Sequence, residues 1–314
     1  MSKILVTGSI AYDQLLAYDG SFLEAIDPHQ LQTLSMAFVT PRFAKHHGGT
    51  GANCAWNLRL LGQSPVLVST VGGDGAEYVS LLQKRGIAID HIETLAQYAT
   101  PTAILATDVA ERHIIFFHPG ADAHGTWPKE LSKEGIAIAI VSPRDVRMMQ
   151  AAIEWCVTQK IPYMFDPGQQ TLSFGRDELL RGIRRSRALI CNEYEWQLIA
   201  ERTGLSERTI LEHTPLLIVT RGEKGLHMHD QEGVIDIPAC TPRKFINPTG
   251  AGDALRAGML TGMAAGWDLK HCGRLGAAMG SFAVEQEGTL LDHLDAEGVM
   301  ARAEKTYGEK LPTL

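Results

Sequence analysis

A single carboxylate lies in a glycine-rich stretch, Asn247–Gly258, whose residue types suit the binding of negative charge. Gly250 and Gly252 let the backbone bend sharply and approach a ligand closely, and the alanines and leucines that follow favour a helix. The free N–H groups at the start of a helix bind anions. Asp253 could therefore take a proton from an attacking hydroxyl while the amides hold a phosphoryl group. It could equally be an ordinary first-turn acid that the helix dipole favours.

A second glycine-rich stretch, His46–Asn53, is predicted as a loop that opens a helix over Ala52–Leu61. Polar residues also follow the predicted strands and turns at several places along the chain. These residues are Asp13, Asp166, Asn192, Thr220 and Asp253. Ligands of an open parallel sheet bind outside the carboxyl ends of its strands, so the set predicts one shared site. Each residue taken alone also fits a helix cap or a turn.

Short apolar strands alternate with helices along most of the chain and would position these residues. Helices are predicted over Asp145–Thr158, Glu207–His213 and Ala296–Tyr307. The alternation predicts an α/β fold with a doubly wound, mostly parallel sheet and helices on both faces. The length of 314 residues fits a single domain over residues 1–314.

Four stretches with a two-residue period interrupt this alternation and predict additional strands. They are Tyr12–Tyr18, Leu34–Phe43, Thr102–Asp108 and His113–Phe117. We expect them to form a small sheet inserted at about residues 12–44 and 100–118, beside the main body.

Composition limits the classes of protein to consider. Hydrophobic residues make up 45% and charged residues 21% of the chain, which is typical of soluble globular proteins. The formal net charge of -7 argues against a general nucleic-acid binder. We find no apolar run long enough for a membrane helix and no signal peptide. The five cysteines are scattered without a CxxC pair, which indicates reduced, mostly buried residues of a cytoplasmic protein.

Four motifs, in order along nearly the whole chain, resemble those of the ribokinase-like (PfkB-type) family of sugar and nucleoside kinases. Asn247–Asp253 resembles the family's D-T-x-G-A-G-D motif, and His47–Asn53 resembles its N-terminal glycine motif. Asn192–Glu195 resembles its N-x-x-E motif, and Val219–Gly225 resembles its T-x-G-x-x-G nucleotide segment. The resemblance implies a ribokinase-like fold with a lid that in many relatives is also a homodimer contact. It also implies phosphoryl transfer from ATP with Mg²⁺.

The resemblance further implies a role for each matching residue. Asp253 would be the base, and the amides of Gly250, Ala251 and Gly252 would hold charge on the transferred phosphoryl group. The residues that would hold the hydroxyls of a sugar ring are Asp13, Gly49 and Asn53, with Gly48 and Gly49 as a hinge. The residues that would bind ATP are Asn192, Thr220, Gly222 and Gly225. Glu195 would organise magnesium through water, because magnesium keeps much of its hydration.

The chain departs from the family pattern at Asn247, which replaces the usual first Asp of the C-terminal motif. In relatives that Asp can help to bind a monovalent cation, so potassium activation is not carried over to this chain. We identify no separate clamp for a sugar phosphate, which favours an unphosphorylated acceptor. Gly8–Asp13, Phe117–Ala121 and Phe165–Gln169 resemble the bacterial adenosine and broad-specificity nucleoside kinases. The implied reaction is phosphorylation of the 5'-hydroxyl of adenosine or a related nucleoside.

Three residues near the implied site have two interpretations. Phe116 is predicted to contact the base, although Phe117 beside it points the other way on a strand and either could be lid core. Arg256 could contact phosphate or form a structural salt bridge. Asp166 could support the nucleotide loop or form a turn.

Two other functions are kept as alternatives to nucleoside phosphorylation. One is a ribokinase- or fructokinase-type sugar kinase. The other is a non-catalytic nucleoside-binding or regulatory protein, against which the presence of Asp253 argues. An NAD-dependent oxidoreductase is disfavoured, because Gly8–Ala11 follows the first strand in place of a G-x-G-x-x-G turn.

Overall fold

The computed structural model describes residues 2–26 and 35–313. Its strands are β1 (Lys3–Thr7), β2 (Ala11–Ala17), β3 (Arg42–Gly48), β4 (Ser64–Gly72), β5 (Ile92–Leu95), β6 (Thr102–Thr107), β7 (His113–His118), β8 (Ile136–Val141), β9 (Tyr163–Phe165), β10 (Ala188–Asn192), β11 (Leu217–Thr220), β12 (Leu226–His229) and β13 (Val234–Ile237). Its α-helices are α1 (Phe22–Ala25), α2 (Thr50–Leu60), α3 (Ala76–Lys84), α4 (Val146–Gln159), α5 (Arg176–Ile183), α6 (Glu193–Thr203), α7 (Ala251–Ala264), α8 (Leu269–Ala283) and α9 (Ala296–Tyr307).

The main sheet has nine strands in the order β13-β12-β11-β10-β9-β8-β1-β4-β5. The pairs are parallel from β11 to β5, and β12 and β13 add an antiparallel edge. Alternate residues of β1 enter different cores, because successive side chains of a strand point to opposite faces. Ile4 and Val6 pack with residues of α2 and α7, whereas Leu5 packs with residues of α4. The predicted doubly wound, mostly parallel sheet with helices on both faces is confirmed.

Most predicted helices agree with the structure to within two residues. The prediction for α9 matches the observed bounds, and α4 begins after Asp145, whose side chain accepts a hydrogen bond from the backbone N–H of Arg147. The helix predicted over Glu207–His213 is wrong, since only a short 3₁₀ turn forms there, at Thr209–Glu212. All five cysteines are buried and free, as predicted.

Within residues 2–26 and 35–313, the small sheet has four strands in the order β3-β2-β6-β7. The predicted strands at Tyr12–Tyr18, Thr102–Asp108 and His113–Phe117 are confirmed as β2, β6 and β7. The strand predicted over Leu34–Phe43 is wrong in its position: Leu34 lies outside the described residues, and β3 begins only at Arg42. Pro41 precedes it and has no N–H to donate to a ladder.

The second glycine stretch also differs from the prediction at its start. His46, His47 and Gly48 belong to β3 and pair with β2, so the loop shortens to Gly49 between β3 and α2. The small sheet is therefore joined to the main body through a two-residue glycine junction, Gly48–Gly49. In the described residues, we find no helix with the length and apolar character to span a membrane.

Candidate active site

The stretch Asn247–Gly258 forms a loop that opens α7, as predicted. Gly250 caps the helix with φ 84°, a left-handed conformation, and a Cβ there would lie 3.1 Å from Cα of Thr289. The left-handed φ favours glycine at this position, and a side chain there would be in tight contact with Thr289. The N–H of Ala251 donates to the carbonyl of Pro248 at 3.2 Å, so an anion at this residue would compete with that carbonyl.

Asp253 lies in the first turn of α7 and meets the second glycine stretch. Nδ2 of Asn53, in the first turn of α2, donates to Oδ2 of Asp253 at 2.7 Å. The two residues are 200 positions apart in sequence. The glycine-rich stretches therefore form one site.

The environment of Asp253 favours its protonated form. Burial raises the pKa of Asp253 to about 6, while the positive charge of Arg256 and the Asn53 hydrogen bond act in the opposite direction. A carboxylate with a pKa near the working pH is suited to accepting a proton from a bound hydroxyl.

Asp13 enters the same site from the small sheet. Burial raises the pKa of Asp13 to about 6, and the nearby His46 acts in the opposite direction. A Cβ on Gly48 would lie 2.1 Å from Oδ2 of Asp13, and one on Gly49, whose φ is 91°, would lie 2.5 Å from the carbonyl oxygen of Ser9. These two glycines therefore let Asp13 approach the start of α2 closely.

Arg256 and Asp166 form a buried salt bridge beside Asp253. Nε and Nη2 of Arg256 donate to the two carboxylate oxygens of Asp166 at 2.6 and 2.9 Å. Only 10% of the Arg256 side chain and 2% of the Asp166 side chain are exposed. Of the two interpretations of Arg256, the structure shows the salt bridge. Sequence spacing gave no reason to connect residues 90 positions apart.

Asn192 and Glu195 start α6 and cap it reciprocally. Oδ1 of Asn192 accepts from the N–H of Glu195, and Oε2 of Glu195 accepts from the N–H of Asn192, both at 2.8 Å. Burial and the negative charge of Asp166 raise the pKa of Glu195, and a nearby cation would relieve this cost. One Glu195 oxygen stays outside the capping pair. The role of the pair in organising magnesium through water stays a prediction.

Metal ligation by protein alone finds no support in residues 2–26 and 35–313. No group of three or more His, Cys, Asp or Glu residues there is placed to hold a metal ion. Magnesium commonly keeps several waters and binds substrate phosphates, so a magnesium site need not contain such a group.

The nucleotide segment lies next to the capping pair. Asn192 and Thr220 are register partners at the carboxyl ends of β10 and β11. Gly222 and Gly225 have φ values of 55° and 93°, and a Cβ on Gly225 would lie 2.0 Å from the carbonyl oxygen of Ile237. Only glycine permits this turn. The four predicted ATP-binding residues therefore lie along one edge of the main sheet.

A family model described as "pfkB family carbohydrate kinase" matches residues 1–296. The chain belongs to the pfkB family.

Relatives of this pfkB-family chain include proteins named nucleoside kinases. The chain is 31% identical over 315 aligned residues to one from Methanothermobacter thermautotrophicus, which covers 98% of both chains. The structure of the Burkholderia thailandensis nucleoside kinase in complex with inosine has a TM-score of 0.90 and 31% identity, and covers 99% of this chain and 100% of that one. A structure of the same protein in complex with ADP-inosine has a TM-score of 0.86 and 32% identity, with 99% and 98% coverage.

The small sheet presents Phe117, and not Phe116, on the side of Asp13. Asp13 pairs with Ala103, which pairs with Phe117, so their side chains share one face. Phe116 pairs with Ile104 on the opposite face. The strand register, which sequence alternation alone did not fix, therefore places Phe116 on the face opposite Asp13. Contact between Phe116 and the substrate stays a prediction.

The opposite face of the small sheet packs against α3. Tyr12 lies there, 5.8 Å from the ring of Tyr78 in α3, with Nζ of Lys45 3.5 Å from the Tyr12 ring centroid. The hydroxyl of Tyr78 donates to the carbonyl of Gly48 at 2.8 Å. These contacts anchor Tyr12, next to Asp13 on β2, and the Gly48–Gly49 junction.

Sequence reasoning missed one residue of this pfkB-family site, Thr289. It follows α8, lies outside every motif and is 4% exposed. Its hydroxyl oxygen lies 2.8 Å from both the carbonyl oxygen of His47 and Oδ1 of Asn53. No local pattern could have revealed it, because the residue takes its role from a contact 236 positions away.

Proposed function

We propose that this protein is an ATP-dependent nucleoside kinase that phosphorylates the 5'-hydroxyl of adenosine or a related nucleoside such as inosine. The observation that carries the proposal is the half-buried Asp253, at the start of α7, with a pKa raised to about 6 and an Asn53 hydrogen bond at 2.7 Å. The full-length similarity to named nucleoside kinases supports the choice of acceptor.

The proposed reaction is an in-line phosphoryl transfer. Asp13 and Asn53 hold the ribose hydroxyls and aim the 5'-oxygen at the γ-phosphorus. Asp253 takes the hydroxyl proton as the new O–P bond forms and the bond to the bridging oxygen of ADP breaks. The amides at Gly250, Ala251 and Gly252 stabilise charge on the moving group. The protein contributes mainly position and electrostatics, which is what this reaction requires.

The nucleotide would lie along the edge formed by Asn192, Thr220, Gly222 and Gly225. Magnesium, when bound, neutralises charge on the phosphates, and Asn192 and Glu195 would hold its water shell. Oδ1 of Asn247 accepts from the N–H of Thr249 at 2.8 Å, so this neutral side chain closes a local turn. We assign no monovalent cation to it.

A screen for ADP release over nucleosides and free sugars tests the proposed acceptor. We expect turnover with adenosine or inosine and little turnover with ribose or fructose. Turnover of ribose or fructose without any nucleoside would favour the sugar-kinase alternative. Nucleoside binding by calorimetry without any turnover would favour the non-catalytic alternative.

The single domain, the homodimer through the small sheet and the cytoplasmic location stay predictions.

Phe117→Ala is expected to raise the KM for the nucleoside by about tenfold, since stacking of a base on an aromatic ring contributes about 1–3 kcal/mol. Phe117 shares the Asp13 face of the small sheet and has 47% of its surface exposed. Steady-state kinetics with varied nucleoside at saturating ATP measures the effect.

Phe116→Ala is the matched control, because it removes the same ring from the next residue on the opposite face. We expect it to change the KM by less than about twofold, as an exposed ring outside the site would. A larger effect from Phe116→Ala than from Phe117→Ala would return the base contact to Phe116.

A further inference from the structure

Thr289 connects three parts of the molecule through one side-chain hydroxyl. The residue lies between α8 and α9, against the first turn of α2 and the end of β3. Its oxygen is 2.8 Å from the carbonyl oxygen of His47 and 2.8 Å from Oδ1 of Asn53. Asn53 is 3% exposed, so its amide has little access to water and depends on protein partners.

The hydroxyl of Thr289 has one proton, and both neighbours are acceptors. A proton donated to Oδ1 of Asn53 fixes which end of the amide faces Thr289. The NH₂ end must then face Asp253, where Nδ2 lies 2.7 Å from Oδ2. The opposite amide orientation would place a carbonyl oxygen against the ionised carboxylate.

We propose that Thr289 is a positioning residue, whose hydroxyl turns the Asn53 amide so that its NH₂ group donates to Asp253. The inference rests on the proposed role of Asp253 as base. Because His47 belongs to β3, its carbonyl competes for the same proton.

Other titratable or charged groups also lie near Asp253, in the wild type and in the Thr289 variants alike. Arg256 lies on the same helix, Asp166 follows β9, and Asp13 comes from β2. Cys54 of α2 and Tyr78 of α3 complete the set, and the charge of Asp253 contributes to raising the pKa of both. Thr289 contacts none of these side chains through the two hydrogen bonds described. A change at Thr289 therefore acts on Asp253 through Asn53.

The test compares the pH dependence of kcat/KM in Thr289→Val and Thr289→Ser with the wild type. Valine matches the shape of threonine without the hydroxyl, and serine keeps the hydroxyl. We expect the acid limb of Thr289→Val to move up by about one pH unit, since a hydrogen bond to a charged group favours the ionised form. For a pKa that moves up by about one unit from about 6, the loss at pH 6 would be about fivefold larger than the loss at pH 8. Asp13 is present in the wild type and in both variants, so its titration contributes equally to all three pH profiles.

Thr289→Ser is expected to keep the acid limb at its wild-type position. An unchanged acid limb in Thr289→Val would overturn the proposal, as would an equal shift in both variants. If circular dichroism shows that Thr289→Val does not fold, Thr289→Ala carries the same comparison. Asp253→Asn distinguishes a failure of the proposed base from a failure of the proposed role of Thr289. Retained turnover in Asp253→Asn refutes the proposed base. Lost turnover in Asp253→Asn, together with an unmoved pH profile in Thr289→Val, refutes only the role of Thr289.

Discussion

Replacing Asp253 by Asn is expected to lower kcat for the nucleoside by about 10²–10⁴-fold, the usual contribution of a positioned general base. An amide keeps the shape of the carboxylate but cannot accept the hydroxyl proton. Nucleoside affinity should change little, because Asp13 and Asn53 stay in place. ADP release measures kcat, and calorimetry measures the dissociation constant.

The same variant should unfold less readily at alkaline pH. Burial raises the pKa of Asp253 from 3.8 to about 6, so the folded protein binds this proton more tightly than the unfolded chain does. The stability that comes from the protonated form is full below about pH 4 and is lost as pH rises through about 6. At pH 8 the ionised, half-buried carboxylate opposes folding. We therefore expect Asp253→Asn to raise the free energy of unfolding by about 1–3 kcal/mol there.

Asp177→Asn is the matched control, since Asp177 is also a first-turn acid, in α5, but has 84% of its side chain exposed. We expect it to leave kcat near the wild-type value and to shift stability by less than about 0.5 kcal/mol. Near-normal turnover in Asp253→Asn would remove Asp253 as the base. A loss of stability at pH 8 would show that the ionised form is better accommodated than its burial indicates.

Asp166→Asn is expected to lower the free energy of unfolding by about 3–5 kcal/mol, because it leaves a buried guanidinium without its counter-charge. The two hydrogen bonds from Arg256, at 2.6 and 2.9 Å, satisfy both carboxylate oxygens of Asp166. Burial lowers the pKa of Arg256, but the attraction to Asp166 outweighs it and the net pKa is raised. Urea denaturation at pH 7 measures the loss.

An exposed ion pair is the control for this loss in the free energy of unfolding. Asp19 and Arg42 lie 3.1 Å apart with 64% and 74% of their side chains exposed, so Asp19→Asn should cost less than about 1 kcal/mol. The double variant Asp166→Leu with Arg256→Met removes both buried charges and should recover part of the loss. A cost for Asp166→Asn no larger than that for Asp19→Asn would contradict the expected role of the pair.

Local physics explains which parts of the structure the sequence predicted. Strand and helix alternation, the turn that Gly250 makes and the cap that Asp145 provides depend on neighbours within a few residues. The motif order that indicates the family is also local. These features could be predicted because backbone preferences and hydrophobic periodicity act over short ranges.

The features that were not predicted depend on contacts between distant residues. The register of the small sheet decides that Phe117 and not Phe116 shares a face with Asp13. The partner of Arg256 lies 90 positions away, and that of Thr289 lies 236 positions away. A single sequence contains no pattern that specifies such pairs. The strand after Pro41 was misplaced because pairing with β2, and not alternation, fixed its bounds.

The hydrogen bond between Asn53 and Asp253 also has a consequence for the order in which the protein becomes competent. It closes a loop of 200 residues. Such non-local contacts form late in folding, because the chain loses conformational entropy on closing the loop before the contact can stabilise the fold. During synthesis, the chain therefore contains the glycine stretch with Asn53 long before it contains Asp253, to which Asn53 donates its hydrogen bond. With Asp253 in its proposed role as base, phosphoryl transfer requires both ends of the chain to have docked, and a half-folded chain would not consume ATP through this site.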